Sequence, residues 1–203
     1  MQTLTEVTKR LYEYFDLLNT HYYNDELVQP TITIQKDSST KKNVTTFGWC
    51  SVEEIWSDGN ERTREINICC ESLNRPIEDV IGTLLHEMAH LYNLYNNIKD
   101  VSGASNQYHN DKFKKTAEAH GLVVEKDRYG WHVTHSNAST LEFLKSIDAK
   151  PFEISRKRQF KVEKPKKTRE SHTYVCPSCD AKVKSSTEVH VVCKDCEEDM
   201  EEQ

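Results

Sequence analysis

At 203 residues the chain is long enough for one packed domain, or for one domain and a small module. With 27 Lys+Arg against 33 Asp+Glu and a net charge of -6, it is not a basic nucleic-acid binder as a whole, and any nucleic-acid contact must come from a local patch. No stretch approaches the roughly 18 to 20 apolar residues that cross a membrane, and the first twenty residues are amphipathic and charged without a secretory cleavage pattern, so a cytoplasmic protein without membrane contact is expected.

Leu4, Val7, Leu11, Tyr14, Phe15 and Leu18 recur at helical spacing and predict an amphipathic helix over 4–19. Asn24 and Asp25 begin a turn, and after Pro30 the run Thr31-Ile32-Thr33-Ile34 alternates as a strand does. Residues 36–43 are polar and turn-like. Residues 44–52, with Phe47 and Trp49, predict a second strand, bulged at Gly48. Residues 53–62 read as a loop with Ser57-Asp58-Gly59-Asn60 as a hairpin-type turn, and Glu65-Ile66-Asn67-Ile68-Cys69 alternates again as a third strand.

That strand leads into a helix carrying His86-Glu87-Met88-Ala89-His90. Histidines four apart on a helix leave the same face and can chelate one zinc ion, and the glutamate beside them is placed to take a proton from a water that the metal has made acidic. Pro76, Glu78 and Asp79 signal a helix start near residue 76. At about 100° per residue, Ile77, Ile81, Leu84, Met88, Leu91 and Tyr95 form one stripe with His86 and His90 roughly opposite, so one face packs and the other binds metal. A chance match on a surface helix is the alternative, and this amphipathic setting weighs against it. A helix, a small antiparallel sheet and then an HExxH helix is the order of a compact zincin-like core, an α+β fold. In such a core the strand before the metal helix floors a cleft where an extended peptide can add as a further strand.

A catalytic zinc commonly takes three protein ligands and leaves a fourth position for water, so a third ligand is expected after His90. His109, Glu118, His120, His132 and His135 are the candidates. His109 is favoured, because it follows a polar loop (98–108) long enough to fold back over the site and opens a helical stretch ending near Gly121, with Phe113 as that helix's anchor. His120 beside Gly121 reads as a cap, and His132 and His135, which have no motif, as structural residues. Trp131-His132-Val133 predicts a strand and residues 140–147 a short helix.

Taken in order, LLNTHYYNDEL, EINI, LLHEMAHLY, HNDKF and HGLVV resemble the SprT-like (Spartan-type) zinc metallopeptidase family over roughly residues 4–124. The resemblance implies His86, His90 and His109 as zinc ligands, Glu87 as the base, and protein bound or crosslinked to DNA as substrate. Asn110 stands where that family usually has glycine, and asparagine tolerates the backbone conformations that glycine favours.

Residues 150–169 hold nine Lys/Arg against two Glu, with Phe152, Phe160 and Pro165 interleaved. This is a linker composition, and it is also a composition that can hold a phosphate backbone and stack bases. Cys176-Pro177-Ser178-Cys179 and Cys193-Lys194-Asp195-Cys196, thirteen residues apart, present four thiolates to one zinc, the closed site of a zinc ribbon, which many bacterial members of the resembled family carry. In a reducing compartment this spacing favours metal over disulfides, and redox dithiols would need a thioredoxin-like context that is missing. Val183, Val189, Val191 and Val192 are expected to supply two short strands between the knuckles, residues 197–202 a solvated acidic tail, and Cys50, Cys69 and Cys70 buried packing.

The expected organisation is therefore a metallopeptidase domain over 1–149, a basic linker over 150–172 and a ribbon with acidic tail over 173–203, with one catalytic and one structural zinc. The expected activity is that of a zinc endopeptidase, its substrate a protein and its DNA contact made by Lys150 to Arg169 and the ribbon. The competing class is a zinc-stabilised nucleic-acid-binding or adaptor protein whose HExxH site is not catalytic and which is indifferent to Glu87.

Overall fold

Helix α1 (Leu4–Tyr23) begins at a capping box: the Thr3 hydroxyl accepts from the Glu6 N–H at 3.2 Å while the Glu6 carboxylate accepts from the Thr3 N–H at 2.6 Å. In the computed structural model, which describes residues 2–37, 45–103, 107–154 and 171–203, it is the first element of a unit spanning Met1–Lys157. A second unit spans Arg158–Gln203. Val7, Leu11, Phe15 and Leu18 are fully buried, as their spacing predicts, and the helix runs on to Tyr23 because that ring stacks on His120 inside the core. Left-handed Asn24 and Asp25 end it.

Strand β1 (Thr31–Thr33) and strand β2 (Gly48–Cys50) flank β5 (Glu65–Ile68) in the order β1-β5-β2. The sheet is mixed, since β1 is parallel to β5 and β2 antiparallel to it. Although the sequence of β5 alternates, all four of its residues are buried. Glu65 can be buried because the indole N–H groups of Trp49 and Trp56 donate to its two oxygens at 3.0 and 2.7 Å, and Asn67 because its Oδ1 accepts from Thr33 and from the backbone of Gln35. With both edges of β5 occupied, no peptide can add there, and β2 is the edge strand on the cleft side. The predicted turn closes a hairpin of β3 (Trp56–Ser57) and β4 (Arg62–Thr63), with Asp58 accepting from the backbone of Asn60 and Glu61.

No bulge occurs at Gly48, which pairs in regular register with Ile68. Its glycine answers to close approach: a Cβ there would lie 2.8 Å from the Asn67 carbonyl oxygen and 3.2 Å from Glu87 Oε1. Gly48→Ala is accordingly expected to destabilise this unit by about 1–3 kcal/mol through overpacking. An unchanged urea midpoint would show that β2 has room to move.

Helix α2 (Ile77–Tyr95) carries the HExxH motif and starts at Pro76 as the sequence signals. It is buried beyond the predicted stripe, Leu85 and Ala89 included, because it is sandwiched between the first sheet and the elements that follow. Those are β6 (Val101–Ser102), β7 (Tyr108–His109), α3 (Asp111–Ala119), β8 (Leu122–Asp127), β9 (Gly130–Ser136) and α4 (Ala138–Ser146). The four strands form a second sheet in the order β6-β7-β9-β8. Two-residue strands β6 and β7 lie in the stretch that composition marks as a polar loop, being too short to leave a pattern.

In the second unit β10 (His172–Val175) pairs with β11 (Lys182–Ser185) and β14 (Glu201–Glu202), and β12 (Val192–Cys193) pairs with β13 (Glu198–Asp199). Val183 and Val192 fall in strands, whereas Val189 and Val191 do not. The acidic end is not a free tail, because Met200 is buried against the ribbon's small core and carries two strands into it, their carboxylates outward. Most of the basic stretch 150–169 lies outside the described residues, as do 38–43 of the polar turn and residues 104–106 of the loop before His109. No helix among the described residues is long and apolar enough to cross a membrane.

Candidate metal centre

The i, i+4 geometry of α2 brings His86 and His90 to one side, and β7 delivers His109 opposite them. His109 Nε2 lies 3.3 Å from His86 Nε2 and 3.0 Å from His90 Nε2. Phe113 packs under all three rings at 4.6 Å between centroids, the anchoring position expected of it. His109 is the last residue of β7 rather than part of α3: its N–H donates to the Tyr129 carbonyl at 2.9 Å, and its register partner is Gly130 of β9. Asn110 needs no glycine-like backbone. It is extended at φ -92° and caps α3, its Oδ1 accepting from the N–H groups of Lys112 and Phe113.

The far sides of the His90 and His86 rings are held as well, whereas His109 Nδ1 is buried without a hydrogen-bond partner among the described residues. Asp100 Oδ2 accepts from His90 Nδ1 at 2.7 Å and from Asn93 Nδ2 at 2.9 Å, and Asn93 Oδ1 accepts from the Thr116 hydroxyl at 2.7 Å. His86 Nδ1 lies 3.1 Å from Thr134 Oγ1 of β9. A carboxylate can only accept, so the proton of His90 sits on Nδ1 and the Nε2 lone pair faces the other two rings. Burial opposes ionisation of Asp100, but the hydrogen bonds from His90 and Asn93 hold its carboxyl below the ordinary value. Burial, and then the neighbouring imidazoles, push His86 well below its ordinary value and His109 down to about 3. Imidazoles with converging Nε2 atoms are donors that a zinc ion takes. Asp100→Asn is expected to weaken zinc binding about 10–100-fold, read by competition with a chromogenic chelator; unchanged affinity would reduce Asp100 to a packing residue.

Glu87 lies beside this triad, 5% exposed, with its Oε1 close against Gly48 of β2. Burial pushes its carboxyl up to about 7. Triad and glutamate line a cleft of about 1250 Å³, walled by β2, α2, the 97–101 loop and β9. Of the other candidate ligands, Glu118 is exposed and faces Lys114 at 3.8 Å. His120 donates from Nδ1 to the Thr116 carbonyl and stacks on Tyr23. His132 and His135 line the cleft without joining the triad. Cys69 is buried, with its thiol pushed up to about 12 by burial, and neither it nor Cys50 or Cys70 belongs to a metal-donor group among the described residues. Asp100, Asn93 and Thr134 have no signature in the sequence, since each acts through a contact between elements.

In the second unit Cys176, Cys179, Cys193 and Cys196 converge, with the sulfurs of Cys179 and Cys193 3.7 Å apart. Burial opposes ionisation of Cys176, yet the backbone N–H groups of Ser178 and Cys179 bring its thiol down to about 7. Four thiols at this spacing fit a closed zinc site. The unit's described residues carry three lysines against eight Asp/Glu, so the ribbon is itself acidic.

The SprT-like family model matches residues 11–135, more than half of the chain and all of the His/Glu site. No curated protein and no solved structure matches the chain. The α+β core around the HExxH helix is a metallopeptidase-like fold, and the chain belongs to the SprT-like family.

Proposed function

We propose that the chain is a zinc-dependent endopeptidase that acts in the cytoplasm on protein held on DNA. The reading rests on one observation: three imidazole Nε2 atoms converge beside a buried glutamate in a cleft. His86, His90 and His109 would hold the ion. Bound there, zinc polarises the scissile carbonyl and acidifies a water. Glu87 receives a proton at its carboxylate and passes it to the departing amine. That carboxylate lies close against β2, an edge strand among the described residues that offers backbone groups to an extended substrate.

DNA contact is assigned to the basic linker, with nine Lys/Arg between residues 150 and 169, in preference to the acidic ribbon. The test is cleavage of a protein crosslinked to single-stranded DNA, compared with the same protein free, by zinc-loaded wild type and Glu87→Gln. Cleavage that needs both Glu87 and DNA is expected. Cleavage that needs Glu87 alone would leave a peptidase with another target, and none under any condition would leave a zinc-stabilised binding protein. Neutralising the linker's lysines and arginines is expected to remove salt-sensitive DNA binding, and binding that survives would move the contact elsewhere.

A further inference from the structure

Strand β9 forms the wall of the cleft opposite β2, and its alternate residues face the metal centre in sequence. Gly130 lies against the backbone of His109, Thr134 Oγ1 meets His86 Nδ1, and the Ser136 hydroxyl donates to the Glu78 carbonyl. Period-2 geometry puts His132 on the same face, between Gly130 and Thr134. Its ring is 5.9 Å from that of His109, yet it is not one of the converging donors, so it is a neighbour of the centre and not a fourth ligand.

The ring is also braced from behind. Asp127 Oδ1 lies 2.9 Å from His132 Nδ1, within ion-pair distance though outside hydrogen-bond geometry, and the Tyr129 N–H donates to the same oxygen at 2.7 Å. A register shift between Glu125 and Asp127, where β8 turns into β9, accompanies this placement. Nδ1 is buried while the side chain as a whole is 33% exposed, so the exposed part is the edge away from Asp127, which carries Nε2. His135, the other histidine of this wall, is exposed, and no such brace is found for it among the described residues.

We infer that His132 is a further catalytic residue of the proposed peptidase: with a proton on each ring nitrogen, Nδ1 toward Asp127 as its positioning residue, it donates from Nε2 to the scissile carbonyl oxygen as that oxygen gains negative charge. The inference rests on the peptidase reading. It follows from what the cleft otherwise offers: Glu87 is engaged in moving a proton, and the three ligand histidines turn their Nε2 atoms to one another. Of the two histidines that line the cleft without joining the triad, His132 is the one whose ring lies against His109 and is braced by a carboxylate. A donor aimed at developing charge contributes to turnover far more than to substrate affinity.

The experiment uses the full, zinc-loaded chain as wild type, His132→Ala and His132→Gln, with unfolded casein as substrate and a phosphinic peptide as a mimic of the tetrahedral state. Zinc content is measured on each protein. For His132→Ala the expectation is a kcat lower by about 10²–10³-fold with KM little changed, zinc content unaltered, and phosphinic-peptide affinity weakened by a similar factor. Glutamine, which can still donate, should recover part of both losses. Unchanged kcat and phosphinic affinity in His132→Ala would overturn the inference. So would a loss of zinc that accounts for the lost activity, because His132 would then merely support His109. A wild type that cleaves nothing would sink the peptidase reading, and equal phosphinic affinities in wild type and His132→Ala would still reject His132 on their own.

Discussion

Glu87→Gln is expected to lower hydrolysis by about 10²–10⁴-fold while leaving zinc bound, and to make the metal-free protein more stable at neutral pH. On the proposed reading the loss follows from removing the group assigned to move the proton, and the zinc stays because the proposed ligands His86, His90 and His109 are untouched. The gain has a separate cause. Burial raises the Glu87 carboxyl from an ordinary 4.5 to about 7, so between those values the folded chain keeps a proton that the unfolded chain has released. Wild-type stability from this group is therefore full below about pH 4.5 and falls as the pH rises towards 7, by about 3 kcal/mol in all. Glutamine has no proton to lose. His86 and His109 act in the opposite sense, since their lowered values make stability rise with pH up to the ordinary histidine range, but they are common to both proteins and cancel in the comparison. Urea midpoints in the presence of a chelator at pH 5 and pH 7.5 measure the difference. Trp49, Trp56 and Trp131, the three tryptophans of the chain, all lie in the first unit, so tryptophan fluorescence is blind to the state of the ribbon. A stability difference that is the same at both pH values would mean that the Glu87 carboxyl is hydrated.

The parts of the site legible in the sequence are those fixed by local geometry. His86 and His90 share a face because a helix has 3.6 residues per turn, and the cysteine knuckles announce themselves by spacing. His109 could be favoured from its place in the chain, but how it is held could not be read: it sits in a two-residue strand whose partner, Gly130, is twenty-one residues further on. Asn110 illustrates the same limit. Sequence offered a backbone reason for an asparagine there, and the fold supplies a side-chain one, a helix cap. The mixed first sheet and the buried Glu65 and Asn67 were hidden because alternation reports polarity, not whether polar groups find partners. Glu65 reads as a solvent-facing residue until two indoles are seen to donate to it. The acidic end of the ribbon misled in the converse way: one buried methionine outweighs its flanking charges, which lose little solvation on strands whose side chains stay outside.

Gly130→Ala is expected to cost the metal centre most of its zinc affinity, at least about 100-fold, without unfolding the first unit. Two constraints meet at this glycine. Its φ is +85°, a region that side chains other than glycine rarely adopt, and a Cβ built there would fall 2.1 Å from the carbonyl oxygen of His109, with that residue's backbone nitrogen at 2.9 Å. The clash is with backbone, so rotating a side chain cannot relieve it; either β9 retreats or β7 moves, and β7 carries the third imidazole. A shift of about 1 Å is enough to spoil a constellation that must hold its geometry to within about 0.5 Å. Gly59→Ala separates the two constraints, for Gly59 has φ +99° and nothing within 4 Å of its Cβ position. It should show the backbone strain alone, a loss of about 1 kcal/mol in stability, with zinc affinity intact. Chelator competition on both variants, alongside their urea midpoints, decides the matter. If Gly130→Ala binds zinc as the wild type does, β7 is free to slide along β9 and the position of His109 is set by Phe113 and the α3 cap instead.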